Sequence, residues 1–104
     1  MPEFGSPFAG LVNDRKLSEA ELVRSIRFMV AAEYEAVQMY LQLAESTDNR
    51  LAIEVLNDIA DEERVHAGEF LRLLKELSPD EEKLYAAGAK EVEEEIEKMA
   101  RRSS

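Results

Sequence analysis

A chain of 104 residues is one small domain with little interior of its own, so association between copies is expected from length alone. Apolar residues make up 45% of it, Gly and Pro are scarce, and Ala, Leu, Glu, Lys and Arg dominate, which predicts an all-α protein with almost no strand. The net charge of −10 disfavours DNA, RNA and anionic membranes, which are bound through Lys and Arg, and draws cations instead.

Residues 1–17 hold two Pro, two Gly and no sustained periodicity. They are expected to be a flexible segment without function, the opening Pro2-Glu3-Phe4-Gly5-Ser6 reading in part as a cloning scar. Ser18-Glu19-Ala20-Glu21 has the S-x-x-E form of a capping box and predicts a helix from there to about Ser46. Thr47-Asp48-Asn49 is a short polar break with good N-cap candidates, after which a second helix is predicted to about Leu77. So short a connection folds residues 18–77 into an antiparallel hairpin.

Ser78-Pro79-Asp80-Glu81 repeats the box, with Pro at the first helical position where its missing N–H costs nothing, and opens a C-terminal helix and tail over residues 78–104. Only Leu84, Val92, Ile96 and Met99 form an apolar stripe there, and Ala86-Ala87-Gly88-Ala89 is a point at which the helix can bend. The stripe suits an arm that docks on a neighbouring chain or on the flank of the hairpin. The acidic run from Glu91 to Glu97 reads as a solvated face. No apolar run approaches the roughly 20 residues of a membrane span, and the N-terminus lacks the pattern of a secretion signal, so a soluble cytoplasmic protein is expected.

Three polar residues interrupt the apolar faces. On the first helix the stripe runs Ile26, Met29, Val30, then Glu33, then Val37, Tyr40 and Ala44. On the second it runs Ala52, Val55, Leu56, Ile59, then Glu63 and His66, then Phe70, Leu73 and Leu74. A buried carboxylate costs several kcal/mol unless it is paired or holds a metal. In an antiparallel pair, residues at one height average to the centre of the turn; positions 33 and 63 average 48, inside Thr47 to Asn49, and 33 and 66 average 49.5, half a residue past it. The three side chains therefore converge on one layer, within about one 5.4 Å turn of each other along the axis.

Glu63-Arg64-Val65-His66 is an E-x-x-H that projects both donors from one helical face, and Glu33 faces it. A di-iron carboxylate centre in a four-helix bundle needs a Glu from each of two helices and an E-x-x-H from each of two others, and this chain has one of each. A two-fold axis would supply the other half, making a four-helix bundle by dimerisation. Two copies bring four carboxylates, a charge of −4 that two Fe(II) ions balance. With no Cys in the chain, only oxygen and imidazole ligands are available, a set that suits iron.

Val30-Ala31-Ala32-Glu33-Tyr34-Glu35-Ala36-Val37-Gln38-Met39-Tyr40, followed by Asp61-Glu62-Glu63-Arg64-Val65-His66-Ala67, resembles the encapsulated ferritins, the ferritin-like cargo of encapsulin nanocompartments. The likeness covers about residues 18–77. It implies a helical hairpin with a C-terminal helix, dimers joined into a ring-shaped decamer, and a ferroxidase centre at the dimer interface that feeds iron mineralisation inside an encapsulin shell. The implied ligands are Glu33, Glu63 and His66, two Fe per dimer, with Tyr40 beside the metals. Family members often carry an acidic residue where this chain has Ala32, which leaves Glu35 and Glu62 as candidates for an acidic uptake cluster. The chain also ends without the apolar tag that usually directs this cargo to the shell, so a shortened form is expected.

The expected activity is oxidation of Fe(II) by oxygen or peroxide. Tyr40 either touches a ligand or is a core tyrosine with its hydroxyl at a rim, and Glu35 suits a solvated face better than a metal role. Two rivals stand beside this reading. One is a metal-free helical oligomerisation module in which Glu33, Glu63 and His66 hydrogen-bond one another to fix register. The other is a rubrerythrin-like peroxidase, a family that usually adds a Cys-rich iron domain.

Overall fold

A computed structural model describes residues 15–103. Residues 1–14, most of the segment expected to be flexible, and Ser104 lie outside the described residues. Three helices follow one another: α1 Glu19–Glu45, α2 Arg50–Leu77 and α3 Pro79–Ser103.

Each start has a local chemical cause. At α1 the capping box forms in both directions: Glu21 N–H donates to the Ser18 hydroxyl (3.2 Å), and Ser18 N–H donates to the Glu21 carboxylate (2.9 Å). Arg15 closes over the same carboxylate with two hydrogen bonds of 2.9 and 2.8 Å. At α2 the Asn49 side chain accepts from Ala52 N–H (3.0 Å), and the Thr47 hydroxyl accepts from Asn49 N–H (3.1 Å), so the four-residue connection satisfies donors that would otherwise be orphaned.

The start of α3 departs from the expected box. Ser78 contributes its carbonyl, which accepts from Glu81 N–H (3.1 Å) and Glu82 N–H (3.4 Å). The Glu81 side chain turns instead to Arg27 of α1, whose Nε donates to it at 3.0 and 3.2 Å, and to the Tyr85 hydroxyl. A charged partner on another helix outcompetes the neutral N-cap amide. Pro79 begins the helix, and the chain stays helical through Gly88.

α1 and α2 pack as the expected antiparallel hairpin, but through a narrower seam than their large apolar residues suggest. The buried residues are Ile26, Val30, Val37 and Ala44 on α1, and Ala60, Ala67 and Leu74 on α2. From Val30 on they recur every seven residues within each helix, and the register pairs Val30 with Ala67 and Val37 with Ala60, each averaging 48.5. Two alanines opposite two valines let the helices approach closely. The larger Met29, Val55 and Leu73 of the expected stripes remain exposed, and no large side chain among the described residues is fully buried.

α3 meets the hairpin through its first turns and buries no residue of its own, so it does not lie along the hairpin's flank. The radius of gyration, 18.6 Å, exceeds the roughly 13 Å of a compact domain of this length. The chain is a two-helix unit with an outstretched arm.

Candidate metal centre

Glu33 sits near the middle of α1, and Glu63 and His66 one turn apart on α2. The hairpin register brings them to one height. Together they offer one ligand atom each, all within 4.8 Å of one another, and no other such group of three His, Asp or Glu occurs among the described residues. The Nδ1 of His66 lies 3.7 Å from a Glu63 oxygen and 3.9 Å from Oε2 of Glu33.

Those separations exceed hydrogen-bond length. The three side chains gather around a point without satisfying one another, as donors do around an ion. Glu33 shows this most clearly: its Oε2 is buried and has no hydrogen-bond partner. Leaving such an atom unpaired costs about 1–3 kcal/mol, more when it is charged. A cation removes that cost, so the donor set fits a metal on an observation independent of any motif.

Burial is graded across the trio. The side chains of Glu33 and Glu63 are 17% and 20% exposed, whereas that of His66 is 51% exposed. The carboxylates line the floor against the seam, and the imidazole stands at the open rim. On the same two helices, four to eight residues from the nearest of the three donors, Met29, Val55 and Leu73 are exposed. Exposed large apolar side chains on helices that also carry a half-open group of candidate ligands are the features of a surface meant to be covered.

The remaining candidates lie elsewhere. Tyr40 is half-buried two turns beyond Glu33, about 10 Å along the helix axis by Cα position, and is not among the three converging donors. Glu35 is half-buried and Glu62 is exposed, and neither joins the cluster. What sequence reasoning missed is the Arg27, Glu81 and Tyr85 group that ties α3 to α1; its members are spread over 58 positions and carry no local signal. There the guanidinium of Arg27 is the first cause, and the Tyr85 hydroxyl the second, that holds the Glu81 carboxyl below the usual carboxylate range.

A family profile for rubrerythrin matches residues 25–103. The chain is 42% identical over 89 residues to the encapsulin nanocompartment cargo protein EncC of Myxococcus xanthus, a match covering 86% of this chain and 65% of that one. It is 34% identical over 85 residues to a ferritin-like–encapsulin shell fusion protein of Pyrococcus furiosus, covering 81% of this chain and 25% of the fusion. The chain thus spans less than two thirds of the length of either curated relative. Its fold is similar to the crystal structure of the encapsulated ferritin domain from Pyrococcus furiosus, with a TM-score of 0.78 and 31% identity over 84% of this chain and 89% of that domain.

Proposed function

The chain belongs to the rubrerythrin family, among its encapsulated ferritins, and from that premise we propose that it is a ferroxidase that binds Fe(II) between two copies of itself and oxidises it to Fe(III). The observation that carries this reading is the buried, partnerless Oε2 of Glu33 within 4.8 Å of donors from Glu63 and His66.

Donor counting makes the dimer part of the proposal. Two carboxylates and one imidazole supply at most five donor atoms per chain, too few for two irons. A second copy related by a two-fold axis doubles the set and covers the half-exposed His66. The matched −4 and +4 charges of four carboxylates and two Fe(II) ions favour the loaded state.

Fe(II) is the substrate here. Each ion gives up one electron, so a pair delivers the two electrons that take oxygen with two protons to hydrogen peroxide, or hydrogen peroxide with two protons to two waters. The chain's own residues bind and position: Glu33 and Glu63 hold the pair against the seam, and His66 supplies nitrogen at the rim. Tyr40 is proposed to support the ligands from two turns along α1, and Glu35 and Glu62 to gather Fe(II) for uptake.

The relatives extend the proposal to surroundings. One is named as nanocompartment cargo and the other joins a ferritin-like part to a shell. We place this chain in an encapsulin nanocompartment in the cytoplasm, as a ring-shaped decamer that feeds mineralisation there. No helix among the described residues is long and apolar enough to cross a membrane.

The rival metal-free register network is weakened by the 3.7 and 3.9 Å separations, which make no hydrogen bond. The rubrerythrin profile keeps a peroxidase in view, and the oxidant separates the two: a ferroxidase turns over with oxygen alone, whereas a peroxidase needs peroxide. The deciding experiment mixes anaerobic Fe(II)-loaded protein with oxygen and follows Fe(III) absorbance. Glu63→Ala is expected to fall to the rate of buffer, and undiminished oxidation would refute the assignment.

A further inference from the structure

Iron chemistry at the Glu33, Glu63 and His66 cluster carries a hazard. A pair of Fe(II) ions reduces hydrogen peroxide to two waters by giving two electrons together. A single Fe(II) ion gives only one, which splits peroxide into hydroxide and a hydroxyl radical and leaves Fe(III). The radical reacts where it forms, with the first reducing side chain it meets. Among the three donors that side chain is His66, which is 51% exposed. Carboxylates resist such attack, whereas an imidazole that has gained oxygen is a poor ligand.

One neighbour can take the oxidation instead. Met29 precedes Glu33 by four residues on α1, about 40° around the helix, so the two share a face with Cβ atoms about 5–6 Å apart. Met29 is 37% exposed, which leaves its thioether within reach of a small oxidant. Every other position three or four residues from a donor, on either helix, holds a hydrocarbon side chain, a carboxylate or another of the donors. Thiols offer no alternative, because the chain has no Cys.

Two further described methionines provide a comparison. Met39 and Met99 are more exposed, at 60% and 64%, but neither stands near the donors. Met39 lies six residues past Glu33 and about 120° away around α1. Met99 lies near the end of α3, which meets the hairpin only through its first turns. The least exposed of the three is therefore the one that shares a face with a donor.

We propose that Met29 is a sacrificial reductant for the metal centre, converted to its sulfoxide by the oxidant that iron generates there. The radical adds to the thioether sulfur, Fe(III) takes the second electron and returns to Fe(II), and the hydroxyl proton joins the hydroxide released earlier as water. In sum, one thioether and one peroxide give one sulfoxide and one water: the O–O bond breaks, an S–O bond forms, and sulfur loses two electrons. Methionine sulfoxide is reduced back by dedicated reductases, so the damage falls on a repairable side chain and spares the imidazole. Because the oxidant arises within the site, Met29 needs no route to bulk solvent once a second copy covers this side. The proposal rests on the ferroxidase reading for the source of the oxidant.

The full chain tests it, loaded anaerobically with Fe(II) and taken through repeated additions of oxygen and Fe(II). Fe(III) absorbance follows turnover, and peptide mass spectrometry after chelation reads the gain of one oxygen atom at each methionine and at His66. Turnover is expected to put several-fold more sulfoxide on Met29 than on Met39 or Met99. Peroxide added to the metal-free protein is expected to reverse the order and follow exposure. Met29→Leu, a swap that conserves volume, should keep wild-type helicity by circular dichroism and the same initial rate. It should then lose activity faster over successive cycles, with the oxygen gain moved to His66. Normal Fe(III) formation with Met29 no more oxidised than the other two would overturn this proposal and leave the ferroxidase reading standing. A Met29→Leu protein that lasts as long as the wild type, with His66 intact, would overturn it as well. Absence of Fe(III) formation in the wild type would remove both readings together, and the absorbance trace alone distinguishes that failure from the other two.

Discussion

Removing Glu33 should stabilise the metal-free protein. Its carboxylate and that of Glu63 offer oxygens within 4.8 Å of each other, and both side chains are largely buried. At an effective dielectric constant of about 20, like charges at that separation repel by about 3.5 kcal/mol, and physiological salt reduces this to about 2 kcal/mol. The partnerless Oε2 of Glu33 adds about 1–3 kcal/mol of unmet hydrogen bonding. Glu33→Gln removes the charge alone, and Glu33→Leu removes charge and orphaned oxygen together. The metal-free order of stability is therefore Leu above Gln above Glu, with Gln gaining about 2 kcal/mol, or roughly 8–16 °C in melting temperature for a domain this size. Fe(II) reverses the order, because only the wild type gains from a ligand that binds the folded state. Thermal melts by circular dichroism at one fixed protein concentration, with chelator and then with anaerobic Fe(II), read both halves. A metal-free Glu33→Leu protein less stable than the wild type would refute the reasoning.

Anaerobic Fe(II) titration should break at one iron per chain, and a break at two per chain would end the shared-site reading. The isolated protein, without a shell around it, should oxidise iron without accumulating a large core, and sedimentation of iron-loaded samples checks this. At the α1 cap, Arg15 is the main cause that lowers the Glu21 carboxyl from its ordinary 4.5 to about 2, with Ser18 N–H second. A lowered carboxyl stabilises the fold above its ordinary range and loses that contribution as pH falls to the folded value. The melting-temperature gap between wild type and Arg15→Ala should thus be full above pH 4.5 and gone by about pH 2. Arg27→Ala should leave the melting temperature nearly unchanged, because the guanidinium is half-exposed, yet speed hydrogen exchange over residues 78–85 where Glu81 is released.

The helix starts were legible because each carries its own chemistry: Ser18 with Glu21, Asn49 with its polar neighbours, and Pro79 at a first turn. The three donors were legible for a related reason, since a Glu or His at three-and-four spacing among apolar residues conflicts with burial and demands an explanation. Identifying the seam was harder. Ala60 and Ala67 are weak hydrophobic signals beside Val55 and Leu73, yet the alanines are buried and the larger residues are not. Close helix approach selects small side chains, and the large ones await a surface outside the chain. The Glu81 side chain followed tertiary contacts rather than its local motif, because Arg27, 54 positions away, is a stronger partner than a backbone amide.

The four-residue connection between α1 and α2 also governs how this sequence tolerates insertions. Its residues cap helices but hold no part of the seam, so adding a residue at 46–49 lengthens a surface loop at little cost and leaves the pairing intact. A residue inserted between 34 and 45, or between 50 and 62, instead turns everything on one side of it by about 100° relative to the other. Either the seam slips or a donor swings out of the cluster. Across drifting descendants of this chain, loop length is free to vary, while the two helical arms that flank it keep count.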